Sequence, residues 1–155
     1  VIDTLRALDL AYEEFEIDPE LADTAAFCAA YGVPLDRSAN TILVASRRPV
    51  GKMVACLVLA TCRLDVNGAV RRRLEVRKAS FATAEETVER TGMAIGGVTP
   101  LGLPAEIPVW IDHRVIEPDW VVVGAGSRSA KIRLDPRGLS RLHQAEVVPD
   151  LAVPA

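Results

Sequence analysis

Gly96-Gly97-Val98-Thr99-Pro100-Leu101-Gly102 packs three glycines and a proline into seven residues. A Gly-Gly pair reaches backbone angles closed to other residues and lets a ligand come close to the main chain. Pro100 fixes φ and has no N–H, so it stiffens the segment at one point. A loop of this kind can aim N–H groups of Gly96 to Thr99, chiefly those of Gly97, Val98 and Thr99, at a ligand oxygen without any charged side chain. The same residues also suit a tight structural turn, and the loop alone does not separate the two readings.

Other chemistry is sparse. There is no Gly-x-Ser-x-Gly elbow, and Ser127 has no base in its neighbourhood of the sequence, so it reads as a loop wall rather than a nucleophile. Arg128 beside it can reach a phosphate or a carboxylate. Asp112 stands at the end of an apolar run, where it either accepts from a substrate amino group or closes an Asx turn. His113 and His143 have no recognisable partners and read as surface or loop residues. Cys28, Cys56 and Cys62 sit among apolar neighbours with no CxxC pair, which points to buried free thiols, no metal site and a reducing compartment, the cytoplasm. Nothing in the chain calls for a cofactor.

The elements that must position these residues follow from the hydrophobic pattern. Leu10 to Ile17 reads as a strand broken by Asp18-Pro19, and Thr24 to Tyr31 as an alanine-rich helix closed by Gly32. Thr41 to Ala45 and Val54 to Ala60 are buried strands flanking a turn at Pro49-Val50-Gly51. Leu64 to Val76 has helical spacing with its arginines outward, and Lys78 to Phe81 is a short strand. Thr83 opens a helix with Glu86 as its capping-box partner, and Gly92 ends it. Strands at 109–111, 120–123 and 132–134 and a short helix at 136–142 follow, and the tail after Pro149 is expected to fray. The irregular connections favour mixed α/β architecture with a mostly antiparallel, curved sheet over a doubly wound repeat.

At 155 residues, half of them hydrophobic and a quarter charged, the chain is expected to form a single globular domain over residues 1–155. The longest apolar runs are of strand length, so no membrane segment is expected, and no basic-then-apolar leader opens the sequence. A net charge of −3 argues against a protein that coats DNA or RNA through bulk electrostatics. Two basic clusters stand out, Arg47, Arg48 and Lys52, then Arg71, Arg72, Arg73, Arg77 and Lys78. They read as solvated faces, although a few such residues suffice to hold the phosphates of one RNA end.

An ordered set of motifs carries a resemblance. Thr24-Ala25-Ala26, Gly32-Val33-Pro34 and Thr41-Ile42-Leu43-Val44 come first, then Leu64-Asp65-Val66 and Thr91-Gly92. The Gly96–Gly102 loop, Val109-Trp110-Ile111-Asp112 and Gly124-Ala125-Gly126-Ser127-Arg128 complete the set. From about Thr24 to Leu142 this order resembles the YbaK family, which includes the editing domain inserted in bacterial prolyl-tRNA synthetases. The resemblance implies a curved, barrel-like mixed sheet with surrounding helices, and hydrolysis of wrongly charged aminoacyl-tRNA near the glycine loop. Its implied partner is the 3′ end of an aminoacyl-tRNA; the modest surface charge points to weak tRNA affinity by itself and so to help from a synthetase or an elongation factor. The expected pocket lies beneath the loop with Asn40, Thr41 and Gly126 on its rim; Pro100, Gly102, Asp112, Ser127 and Arg128 are further candidate contacts. Typical members carry a lysine before the position of Thr41, where this chain has Asn40. An amide keeps the hydrogen bonding of that lysine but not its charge, which Lys52, Lys131 or an arginine could supply from another direction. Two readings follow: a trans-editing deacylase, or a module that binds the same end without turnover because Asn40 replaced the lysine.

Overall fold

Residues 50–59 form the strand around which the computed structural model, which describes all 155 residues, is built. Strands β2 (Ala39–Arg48) and β3 (Val50–Leu59) make an antiparallel hairpin in register from Ala39↔Leu59 to Arg47↔Val50. Met53 to Leu59 are all buried, because both faces of β3 are covered, and a doubly covered strand reads as a continuous apolar run. Ala55, Leu57 and Leu59 join Leu43 and Ala45 in the larger core, whereas Val54, Cys56 and Val58 join Val44 in a second core.

Strand β6 (Val109–Asp112) runs parallel to β3, and β9 (Ala145–Val148) runs parallel to β6. On the other side β5 (Lys78–Phe81) pairs antiparallel with β2, giving the order β5-β2-β3-β6-β9. A second, antiparallel sheet has the order β1-β8-β7, from β1 (Tyr12–Glu16), β8 (Ala130–Leu134) and β7 (Val121–Gly124). Its Val121, Val123, Ile132 and Leu134 meet the first sheet in the larger core, and a parallel bridge between Ser38 and Val122 joins the two sheets at one corner. The result is the mixed α/β fold that the sequence implied, curved and barrel-like but not closed. None of its helices is long and apolar enough to cross a membrane.

Local signals in the sequence placed several elements to the residue. The helix α2 spans Thr24–Tyr31 and ends on Gly32 at φ 68°, and β5 spans Lys78–Phe81. The later helix at Ala84–Thr91 has the full Thr83–Glu86 capping box and ends on Gly92 at φ 70°. Both hairpin strands are longer than the apolar runs that announced them, because pairing continues through Ser46 to Arg48 beside the tight turn.

Two expectations need correction. Leu64 does not begin a helix but ends the short strand β4 (Cys62–Leu64). The helical turn starts after Asp65, whose carboxylate accepts from the N–H groups of Gly68 and Ala69 at 3.1 and 3.0 Å. The tail does not fray either. Ala152–Pro154 forms β10 against β4, and Leu151 is fully buried in the second core. His113 helps to hold this segment, its Nδ1 accepting from the Asp150 N–H at 3.2 Å. The N-terminal helix α1 (Ile2–Ala7) and the strands β4, β9 and β10 had no strong local signal.

Two stability predictions follow. Leu151→Ala should lower unfolding free energy by about 2–5 kcal/mol in urea titration, the range for a buried leucine, whereas a frayed tail would show almost none. Arg47 forms a two-pronged pair with Glu86 at 2.7 and 3.0 Å, tying the Ala84–Thr91 helix to the hairpin. This guanidinium, followed by the Thr83 N–H, pulls the Glu86 carboxyl from 4.5 down to about 2. A depressed carboxyl contributes stability that is complete above its unfolded pKa and vanishes as pH falls towards the folded one. Glu86→Gln should therefore flatten the loss of stability between about pH 4.5 and 2, as read by acid denaturation curves.

Candidate active site

Strand β5 covers the edge of β2 only from Val44 to Arg48, and β7 pairs with the chain there only at the Ser38–Val122 bridge just before β2. Between these two attachments a cavity of about 270 Å³ opens against residues 38–43. Its remaining walls include Ala22 to Thr24 at the start of α2, Phe81 and Ala82 at the end of β5, Thr87, Val122 to Gly124 of β7, and Lys131 of β8. Ile95, Gly96 and Val98 of the glycine loop close one side.

The loop is held by main-chain contacts. Gly97 donates to the Ala94 carbonyl at 2.9 Å, and its own carbonyl accepts from the Gly126 N–H at 2.7 Å. The Gly126 carbonyl in turn accepts from Ala94 N–H at 3.2 Å. The loop and the β7–β8 turn therefore pack backbone on backbone. A Cβ on Gly97 would lie 2.2 Å from the Ser127 carbonyl oxygen, and one on Gly124 would lie 2.4 Å from that of Val98. Gly96 takes φ +88°. Its N–H and that of Val98 have no hydrogen-bond partner in the protein, and both residues line the cavity.

Arg128 ties three segments together: its Nε donates to the Pro19 carbonyl at 3.1 Å, and its Nη1 to the Ile95 carbonyl at 2.8 Å and to Asp23 Oδ1 at 3.3 Å. Lys131 is buried, with Nζ donating to the Gly96 carbonyl at 3.1 Å and lying 5.2 Å from the centre of the Phe27 ring. Desolvation pushes its ammonium below the ordinary lysine range, with Asp23 and Cys28 acting against the shift and Arg128 adding to it. Asn40 is half-buried, and its Oδ1 accepts from Thr24 Oγ1 at 2.6 Å, which leaves its amide donors free of protein partners. The neighbouring Thr41 hydroxyl is buried and is the one such side-chain polar atom with no partner.

Of the residues singled out from the sequence, Gly96, Val98, Asn40 and Thr41 meet at this cavity. The others stand elsewhere. Gly97 is the anchor of the loop, and its N–H, already bonded to Ala94, is not a spare donor. Thr99 and Pro100 are buried outside the lining, and Thr99 Oγ1 accepts from the Leu101 N–H at 3.5 Å. Gly102, at φ +86°, faces a separate depression beside α1. Asp112 is fully buried and spent on structure: it accepts from the Arg114 and Ala152 N–H groups at 3.1 and 3.0 Å and pairs with the Arg114 guanidinium. The Asx reading is therefore the correct one of the two.

Gly126 clamps the loop, and Ser127 turns outward to Ser129 Oγ at 3.1 Å, in a shallow surface beside Glu14 and Glu16. Arg128 finds its carboxylate within the protein, on Asp23. The basic clusters are partly spent as well, since Lys52 Nζ donates to the Leu74 carbonyl at 2.8 Å and Arg73 pairs with Glu146. Lys131 appeared in the sequence only as one of several spare cations. Its place in an otherwise ordinary strand carries no local signal that it would reach the loop.

The comparisons with known proteins agree with this architecture. The family model described as an aminoacyl-tRNA editing domain matches residues 18–142. The uncharacterized protein YwhH of Bacillus subtilis (strain 168) is 31% identical over 134 residues, covering 86% of this chain and 82% of YwhH. The crystal structure of the hypothetical protein APE2540 superposes with a TM-score of 0.86 at 25% identity, covering 97% of both chains. A proposed trans-editing enzyme for prolyl tRNA synthetase superposes with a TM-score of 0.80 at 24% identity, covering 99% of this chain and 94% of its own.

Gly97→Ala cannot keep the observed contact with Ser127, so the loop must lift from the β7–β8 turn. Hydrogen exchange should show the Gly126 amide losing protection by about two- to tenfold, one hydrogen bond's worth of opening free energy, with the β2–β3 amides unchanged. Unchanged protection at Gly126 would refute the clamp.

Proposed function

The chain belongs to the aminoacyl-tRNA editing domain family, and from that premise we propose that it is a trans-acting deacylase of tRNA charged with the wrong small amino acid. The observation that carries this reading is the glycine loop: Gly96 and Val98 line the cavity, and no protein atom uses their N–H groups. In the proposed reaction the ester carbonyl lies against these donors. A water oxygen adds to the carbonyl carbon, the bond from that carbon to the ribose oxygen breaks, and the ribose oxygen leaves as a hydroxyl carrying a proton from the water. Negative charge gathers on the carbonyl oxygen midway, and one fixed donor at that position lowers the barrier by about 3–4 kcal/mol. The neighbouring ribose hydroxyl helps to orient the water.

Cavity size supports a small aminoacyl group. The walls include Ala22, Ala39, Val98 and Val122, and the volume is about 270 Å³. Discrimination by such a pocket is modest, about 1–3 kcal/mol for each methylene excluded or lost. With a net charge of −3 the domain holds tRNA weakly by itself, which fits help from a synthetase or an elongation factor.

A second reading, binding of the same end without turnover, rests on Asn40. The side chain at that position is neutral and its oxygen is engaged by Thr24.

The test is single-turnover deacylation of tRNA-Pro carrying alanine, serine, cysteine, threonine or proline, and of the cognate tRNAs of those amino acids. Selective hydrolysis of one or two small mischarged species, lost in Gly97→Ala, is the expected result. Hydrolysis no faster than in buffer across the panel, with retained binding, would establish the second reading instead.

A further inference from the structure

Lys131 is the one cationic side chain that lines the cavity. It is only 8% exposed, yet no carboxylate lies within ion-pair distance of its ammonium. Its partners are a neutral carbonyl, that of Gly96, and the face of the Phe27 ring. Burying a charge without an opposite charge is costly, and a methionine of similar shape would fill the same space without that cost. An ammonium has three donors, and the protein uses one of them. The nearest carboxylate on the rim, Asp23, is 73% exposed and already bonded to Arg128. The chain therefore keeps an uncompensated positive charge in the cavity that Gly96 and Val98 line, two residues whose N–H groups have no protein partner.

We propose that Lys131 is a catalytic cation of this site: its ammonium, anchored on the Gly96 carbonyl, supplies a charged donor to the ester oxygen as negative charge develops there. The inference rests on the deacylase reading above and adds to it the group that pairs with the oxyanion. No proton need leave the lysine. The charge on the oxygen collapses as the carbon–ribose oxygen bond breaks, and the ammonium is unchanged at the end of the cycle. This arrangement also accounts for a neutral residue at position 40, because the cavity receives its positive charge from β8 instead of β2. Two ammonium groups in one small cavity would repel each other.

The anion could also come from the phosphodiester of the terminal nucleotide, and the kinetics separate the two sources. Lys131→Met removes charge and donor, whereas Lys131→Gln removes the charge but keeps an N–H for the Gly96 carbonyl. Both are compared with wild type on the best mischarged tRNA, with thermal unfolding as a check that each variant melts cooperatively. Oxyanion stabilisation predicts that both lose about hundredfold or more in the single-turnover rate at saturating tRNA, with little change in half-saturating concentration. It further predicts that Asn40→Lys, placed in the Lys131→Met background, recovers a substantial part of the rate.

A full rate in Lys131→Gln would reduce Lys131 to a brace for the loop and overturn the proposal. A rise in half-saturating concentration at constant maximal rate would assign the charge to the phosphate and overturn it equally. Either result leaves the deacylase reading standing. An inactive wild type would overturn both.

Discussion

Everything in this molecule hangs on a strand that is buried on both faces. Because β3 packs its odd-numbered residues Ala55 and Leu57 into one core and the even-numbered Val54 and Cys56 into another, it must be covered on both sides. The second sheet supplies one cover, and the helical turns at 66–74 with Trp110 and the C-terminal segment supply the other. Its neighbours then have defined places: β2 by the hairpin, β6 by parallel pairing, and β9 beyond it. A one-residue slip of β3 would exchange the two faces and empty both cores, so the register of the whole sheet is fixed by this double burial.

The cavity is a consequence of that sheet being incompletely covered at one corner. β5 is four residues long and stops at Phe81 opposite Val44, so the first part of β2, paired with β3 on one edge, has no strand on the other. The second sheet pairs with it there through a single bridge. What fills the gap is irregular backbone, the Gly96–Val98 loop, and it can approach closely because both partners in the contact lack Cβ atoms at Gly97 and Gly124. A loop fixed by main-chain hydrogen bonds at Gly97 keeps the unused N–H groups of its neighbours Gly96 and Val98 in constant positions. That preorganisation, rather than any nucleophile, is the chemical resource of the site under the proposed reading.

Electrostatics give the cavity its sign. Arg128 is spent on Asp23 and on two carbonyls, which joins the start of α2 to the loop and neutralises the rim carboxylate. Lys131 is left as a buried ammonium with only a carbonyl and an aromatic face for company. The two basic residues stand three positions apart on the same turn and strand. One builds the wall and the other points its charge inside, a division that depends on their depth and not on their type.

The sequence by itself determined what depends on neighbours within a few residues. The start of α2 at Thr24, its Gly32 stop, the Thr83–Glu86 box and the Gly92 stop depend on residues within a few positions, and the structure has each of them, although Asp23 forms no side-chain cap. The apolar runs announced the two central strands, and the ordered motifs announced the family and its mixed, curved sheet. Tertiary structure alone decided the rest. Whether Asp112 faced a ligand or its own chain depended on Ala152, forty residues away, and the docking of the tail depended on β4. That Gly97 is an anchor while Gly96 and Val98 line the cavity, and that Lys131 joins them while Ser127 and Gly102 do not, follows from contacts between segments about thirty residues or more apart. Local propensity cannot encode such contacts, because they exist only once the two sheets have closed around their shared core.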